Sequence, residues 1–126
     1  MSRTLNRTAA FLLALTLIAS TSTLLACAPT PPSTNPGITG TVSSMVPGDE
    51  RPASFLVEGG QQPTGAVSDK AQVTVNPSTM FFDSAGKSTK ASGISVGTSV
   101  RVWFDGAVAE SYPVQGSAQA VQILVP

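Results

Sequence analysis

One cysteine, Cys27, and no histidine set the limits on what this chain can do chemically. A single thiol cannot close a disulfide within the chain. Without histidine there is no Ser-His-Asp or Cys-His nucleophile pair, and the commonest metal ligand is missing. Ser84 and Lys87 match Ser-x-x-Lys literally, but they sit in DSAGKSTKASG, which reads as a solvated non-helical loop, and the match reads as chance. Asp49 and Glu50 lie in a turn cluster, and Asp69, Asp83 and Asp105 are scattered. None of them forms a calcium-loop pattern, and their spacing gives no support to a paired-carboxylate hydrolase. The expectation is a protein with no catalytic residues, no metal and no cofactor. That leaves aromatic chemistry. Trp103 and Tyr112 are the only Trp and Tyr. Arg101 and Trp103, two apart, share one face of a strand, as a stacking platform with a basic neighbour would. The competing role for Trp103 is a ring covered by the linker or by a loop. Tyr112 lies in Glu110-Ser111-Tyr112-Pro113. Pro113 holds it extended and ends the strand, and its hydroxyl is placed to fix the loop, with Glu110 or Ser111 nearby. Arg101, Trp103 and Tyr112 are the candidate binding face.

Cys27 has a different role, set by what precedes it. Arg3 and Arg7 come before an apolar run at residues 11–18, and small or apolar residues continue to Ala26. This is the order of a secretory signal. A retained membrane helix is the alternative, but the apolar core is short of the roughly 20 residues a span needs, and residues 20–23 are all Ser or Thr. Leu24-Leu25-Ala26-Cys27 resembles the lipobox of bacterial lipoproteins. In that family the cysteine thiol is lipidated and the signal is cut just before it. The resemblance implies cleavage between Ala26 and Cys27 and a lipid on Cys27; Leu25 is bulkier than the usual occupant. Ala26-Cys27-Ala28 is also a small-x-small site, but cutting there would put Pro29 next to the scissile bond and leave an unpaired exported thiol. Two or three acyl chains on one residue hold far longer than one. The expected setting is therefore the cell envelope, outside the cytoplasm.

Residues 28–36, APTPPSTNP, carry four prolines among small and polar residues. They read as a tether, either extended to about 28 Å at the polyproline rise or a spacer of no fixed length. The division is residues 1–26 signal, 27–36 lipidated cysteine and tether, 37–126 folded domain. Lys plus Arg and Asp plus Glu number seven each. Arg3 and Arg7 are two of the seven basic residues, so from Cys27 onward five stand against seven acidic. Nucleic acid, which calls for clustered Lys and Arg, is not an expected partner.

The domain reads as short strands punctuated by Gly, Pro and Asp. ITGTVSSMV (38–46) alternates, with Ile38, Val42 and Val46 on one face. PGDERP is a turn. ASFLVE (53–58) and AQVTV (71–75) follow, then a short apolar piece, TMFF, which is a turn or a strand extension. In SVRVWF, Val100, Val102 and Phe104 oppose Arg101 and Trp103. Asp105-Gly106 reads either as a two-residue hairpin turn or as a kink in one long strand. AQAVQILV (118–125) is the last strand. No helical periodicity appears beyond the signal. The fold expected is all-β, a small closed barrel of about five strands.

GITGTVSSM, SFLVEG, AQVTV and VGTSVRVWFDGAVAESYPVQGSAQAVQI together resemble the YobA-like domain of unknown function found in small bacterial lipoproteins. The resemblance covers about residues 37–125 and is most specific from Gly106 through Pro113. It implies an OB-like barrel, exported and membrane-tethered, with no known activity; on such a barrel the kink at Gly106 is the favoured reading. Two roles follow: a lipid-anchored module that binds an envelope protein or a ligand, or a structural spacer subunit that binds no small molecule.

Overall fold

The computed structural model describes residues 28–60, 62 and 64–124 of the 126. Ala26 and Cys27, with the whole signal, lie outside the described residues. The described chain is all-β, with strands β1 (Ile38–Val46), β2 (Ser54–Glu58), β3 (Lys70–Thr74), β4 (Met80–Phe82), β5 (Ser99–Phe104) and β6 (Val114–Ile123), and a single 3-10 turn at Ala91–Gly93. β1 pairs antiparallel with β2 on one side and with β5 on the other. β2 continues to β3, β6 pairs antiparallel with β5, and β3 runs parallel to β6. That last pairing closes a five-stranded barrel in the order β1-β2-β3-β6-β5-β1, which is OB-like. β4 is a sixth strand outside the ring, parallel to the C-terminal half of β6 through Met80, Phe81 and Phe82. TMFF is thus a strand of its own.

Alternation delivers the core. Ile38, Val42, Phe55, Val57, Ala71, Val73, Val100, Val102 and Val121 are all within one per cent of full burial. Each has a polar or half-exposed neighbour on the other face of its strand. At about 25 cal/mol per Å² of apolar area removed from water, such side chains are the main source of stability. Phe104 fits the same interior through a gap in the backbone. A Cβ on Gly116 would stand 2.7 Å from its ring and one on Gly37 would stand 2.5 Å from it, so the ring occupies space that only glycine leaves open.

Three expectations need correction. β1 does not alternate throughout: Val42 faces Val57 and Ser44 faces Leu56, so Ser43 is an extra residue in a bulge. The faces exchange beyond it. Met45 packs on the core, and Val46 is 51% exposed. Secondly, Asp105-Gly106 is neither a two-residue turn nor a kink within a strand. β5 stops at Phe104, β6 begins at Val114, and the nine residues between form a loop. Gly106 has φ +78°, a left-handed conformation that glycine adopts without cost. AVAES forms no strand, only an isolated bridge from Ala109 to Gln115. Thirdly, β6 starts at Val114, so Pro113 precedes a strand and does not end one. β6 carries its own bulge: Trp103 faces Ala120 and Phe104 faces Ala118, leaving Gln119 unpaired. Ala118 therefore belongs to the interior, and Ala120 to the opposite side of the sheet.

Candidate binding face

The three aromatic and basic candidates do not assemble into one surface. Phe81, Val102 and Val121 point into the barrel, whereas their neighbours Phe82, Trp103 and Ala120 form a second apolar cluster on the outer side of β4, β5 and β6. That cluster is not open. Phe82 is fully buried and Trp103 is 6% exposed. The cover over the indole is the proline-rich segment. The Trp103 indole N–H donates to the carbonyl of Thr34 at 2.8 Å, and the Asn35 side chain donates to the carbonyl of Thr64 at 3.0 Å. Pro31 lies beside Gly86, where an added Cβ would be 3.5 Å from its ring. Pro31 and Pro32 are half-buried. Residues 31–36 are therefore a strap laid on the barrel, and of the two roles open to Trp103 the structure shows the ring covered by the linker and not the stacking platform. Arg101 stays exposed, and among the described residues its guanidinium donates to the Gln122 side chain alone, at 3.3 Å.

Tyr112 stands elsewhere. It is 69% exposed at the β6 end of the β5–β6 loop, where its hydroxyl donates to Asp69 at 3.1 Å. Its partner is thus an acid at the foot of β3; of the residues beside it, Ser111 instead donates to the carbonyl of Pro113 at 2.7 Å. The Lys70 ammonium lies 5.8 Å from the centre of the Tyr112 ring, within cation–π range. The same Lys70 pairs with Glu58 across the β2–β3 ladder at 2.7 Å. Two steps along, Gln72 donates to the Ser54 hydroxyl at 3.2 Å, with Leu56 half-buried opposite Gln72. The outcome is a polar face on β2 and β3, bounded at one end by an ordered, outward-facing aromatic ring.

The hydrogen bond and charge of Lys70, helped by the Ser43 hydroxyl, hold the Glu58 carboxyl below its ordinary pKa. Glu58 in turn raises Lys70. Lys70, Glu58, Asp69, Gln72 and Ser54 were absent from the candidates drawn from sequence. The signal was available for Glu58 and Lys70. They are opposite charges on the polar side of consecutive strands, just outside the buried Val57 and Ala71, where cross-strand pairs form.

An open groove of about 720 Å³ lies at the other end of the barrel between the β1–β2 turn, β4 and the 3-10 turn. Arg51, Thr79, Met80 and Lys90 are among its walls. Among the described residues no three acidic, cysteine or histidine side chains come together as a metal site would require. Ser84 and Lys87 sit in a turn built on Asp83, whose carboxylate accepts the backbone N–H of Ala85 and of Lys87, each at 2.9 Å.

The molecule is thus an all-β protein of the OB-like barrel class, with a strap over one side and a polar, tyrosine-edged face on another. The chain belongs to the family described as Protein of unknown function (DUF3221), whose model matches residues 48–125. The match takes in β2 through β6, the Tyr112 face and the groove, and leaves the strap and β1 outside. No curated protein and no solved structure matches the chain.

Proposed function

We propose that this protein is an exported lipoprotein, anchored through Cys27, whose barrel binds a partner in the cell envelope through the β2–β3 face and Tyr112. The observation that carries the reading is Tyr112 itself. An aromatic ring that is 69% exposed is held in place by Asp69 and Lys70, and a side chain ordered before contact loses little entropy on binding. Barrels of this class receive ligands on the strand 2–3 face and on the loops beside it. The absence of histidine and of a coherent nucleophile motif supports binding over catalysis. The lipobox-like LLAC and the YobA-like pattern support the lipoprotein setting.

A structural spacer role is the second reading, and one observation favours it: the tryptophan that would have made a stacking platform is spent in holding the strap. Photo-crosslinking in intact cells separates the two. A benzophenone side chain at position 72, on the β2–β3 face, is expected to capture a discrete partner, and the adduct is lost on Tyr112→Ala. Equal capture from position 119, on the strap side, would leave the spacer reading standing. Anchoring has its own test. Cys27→Ala is expected to release the protein from membranes or leave it unprocessed, and normal processing with full membrane retention would overturn the lipoprotein reading.

A further inference from the structure

The strap changes how a lipid on Cys27 would hold the domain, and on that reading we propose that one end of the barrel rests directly on phospholipid headgroups. If residues 28–36 were a free tether, the domain would roam to about 28 Å from its anchor. The folded unit instead begins at Pro31, beside Gly86. Only Ala28, Pro29 and Thr30, all exposed, separate it from the cysteine. Four residue steps span at most roughly 14 Å when fully extended. The domain is thus held close to the membrane, and it is held by one particular end.

That end is defined by topology. The strap runs from Pro31, over Trp103, to Gly37, whose N–H bonds Val102. Pro31 therefore sits at the end of the barrel that carries the β1–β2 turn and the long connection from β4 to β5. The β2–β3 and β5–β6 loops, with Tyr112, are at the opposite end. Charge divides the same way. The Pro31 end sets Arg51, Lys87 and Lys90 against Asp49, Glu50 and Asp83 and is balanced. The far end sets Glu58, Asp69, Asp105 and Glu110 against Lys70 alone. An anionic lipid surface attracts lysine and arginine within about a Debye length and repels carboxylates. Both the short link and the charge therefore turn the Asp83–Lys90 turn and the groove with Arg51 and Lys90 toward the headgroups. The Tyr112 face looks away from the membrane.

The test uses the full-length protein processed in cells and reconstituted in vesicles of phosphatidylglycerol and phosphatidylethanolamine carrying a headgroup quencher. Two variants, Ser88→Cys and Ala107→Cys, take a fluorophore on the new thiol. Co-flotation of each with the vesicles reads anchoring by itself, so a failed anchor is separate from a wrong orientation. With both variants floating, the probe at 88 is expected to be quenched several-fold more than the probe at 107. Ten Gly-Ser residues inserted between Pro29 and Thr30 are expected to keep flotation and abolish the difference. Equal quenching without the insertion, stronger quenching at 107, or a difference that survives the insertion would overturn the proposal.

Discussion

The indole N–H of Trp103 and the carbonyl of Thr34, 69 residues apart in sequence, meet at 2.8 Å and join the proline-rich segment to the outer wall of the barrel. Indole donates and has no acceptor, so a buried tryptophan needs such a partner. Thr34 supplies it from a stretch that forms no strand. One bond thereby turns an expected spacer into part of the fold. Removing it by Trp103→Phe, which keeps most of the apolar area, is expected to cost about 1 kcal/mol in denaturant unfolding. Trp103→Ala also empties the outer cluster with Phe82 and Ala120 and is expected to cost about 3–5 kcal/mol, a large share of what a domain this size possesses. In the intact protein the single tryptophan is expected to emit at short wavelength and to resist acrylamide. Deleting residues 28–36 is expected to make it quenchable.

Phe104 and Gly116 test how tightly the barrel is filled. A methyl group at position 116 meets the Phe104 ring at 2.7 Å, so Gly116→Ala is expected to destabilise by about 1–3 kcal/mol through overpacking. Phe104→Leu in the same chain is expected to recover part of that loss. Strict additivity of the two changes in a double-mutant cycle would show that the ring is free to move aside.

Thr79 joins the β3–β4 connection to β6. Its buried hydroxyl donates to the carbonyl of Ala118 at 2.7 Å and accepts the N–H of Asn76 at 3.0 Å. Thr79→Val has nearly the same shape and leaves both backbone groups without that partner. A loss of about 1–3 kcal/mol is expected, read from the urea midpoint. Thr79→Ser keeps the hydroxyl and is expected to lose less.

Glu58 and Lys70 give the pH dependence. The Glu58 pKa is depressed in the folded state, so its contribution is present above the ordinary carboxylate pKa and fades as pH falls through the folded value. The Lys70 pKa is raised, so its contribution is present below the ordinary lysine value and fades as pH rises through the folded one. Both groups are solvated, so the effect on stability is small. An NMR titration is expected to find Glu58 below the unperturbed value and to find it moved up toward that value by Lys70→Met.

Most of the barrel was legible because it is made by simple alternation. Ile38 and Val42, Phe55 and Val57, Ala71 and Val73, and Val100 and Val102 all fall two or four residues apart, and all are buried. The bulges were not legible. Ser43 and Gln119 differ in no local way from their neighbours, and what selects them is the need of a closing sheet to bend. Cover by the linker was one of the roles weighed for Trp103, but which residues of the linker lie on the barrel was not legible. Proline-rich composition reports backbone preference, whereas burial of Trp103 under Thr34 is set by the tertiary surface that β4, β5 and β6 create together. Tyr112 was identified as a candidate residue, but its partners were not. Asp69 is 43 positions away, and only the pairing of β3 with β6 brings the two together.

That pairing has a consequence for how the molecule comes into being. β3 gains its second neighbour only from Val114–Ser117, and β5 gains its second only from the rest of β6. A nascent chain that has released everything up to Phe104 carries two bare barrel edges, on β3 and β5, and a β4 with no strand partner. The ring shuts only when the ten-residue β6 arrives. Native structure therefore waits on β6, and truncation before Val114 is expected to yield no smaller folded core.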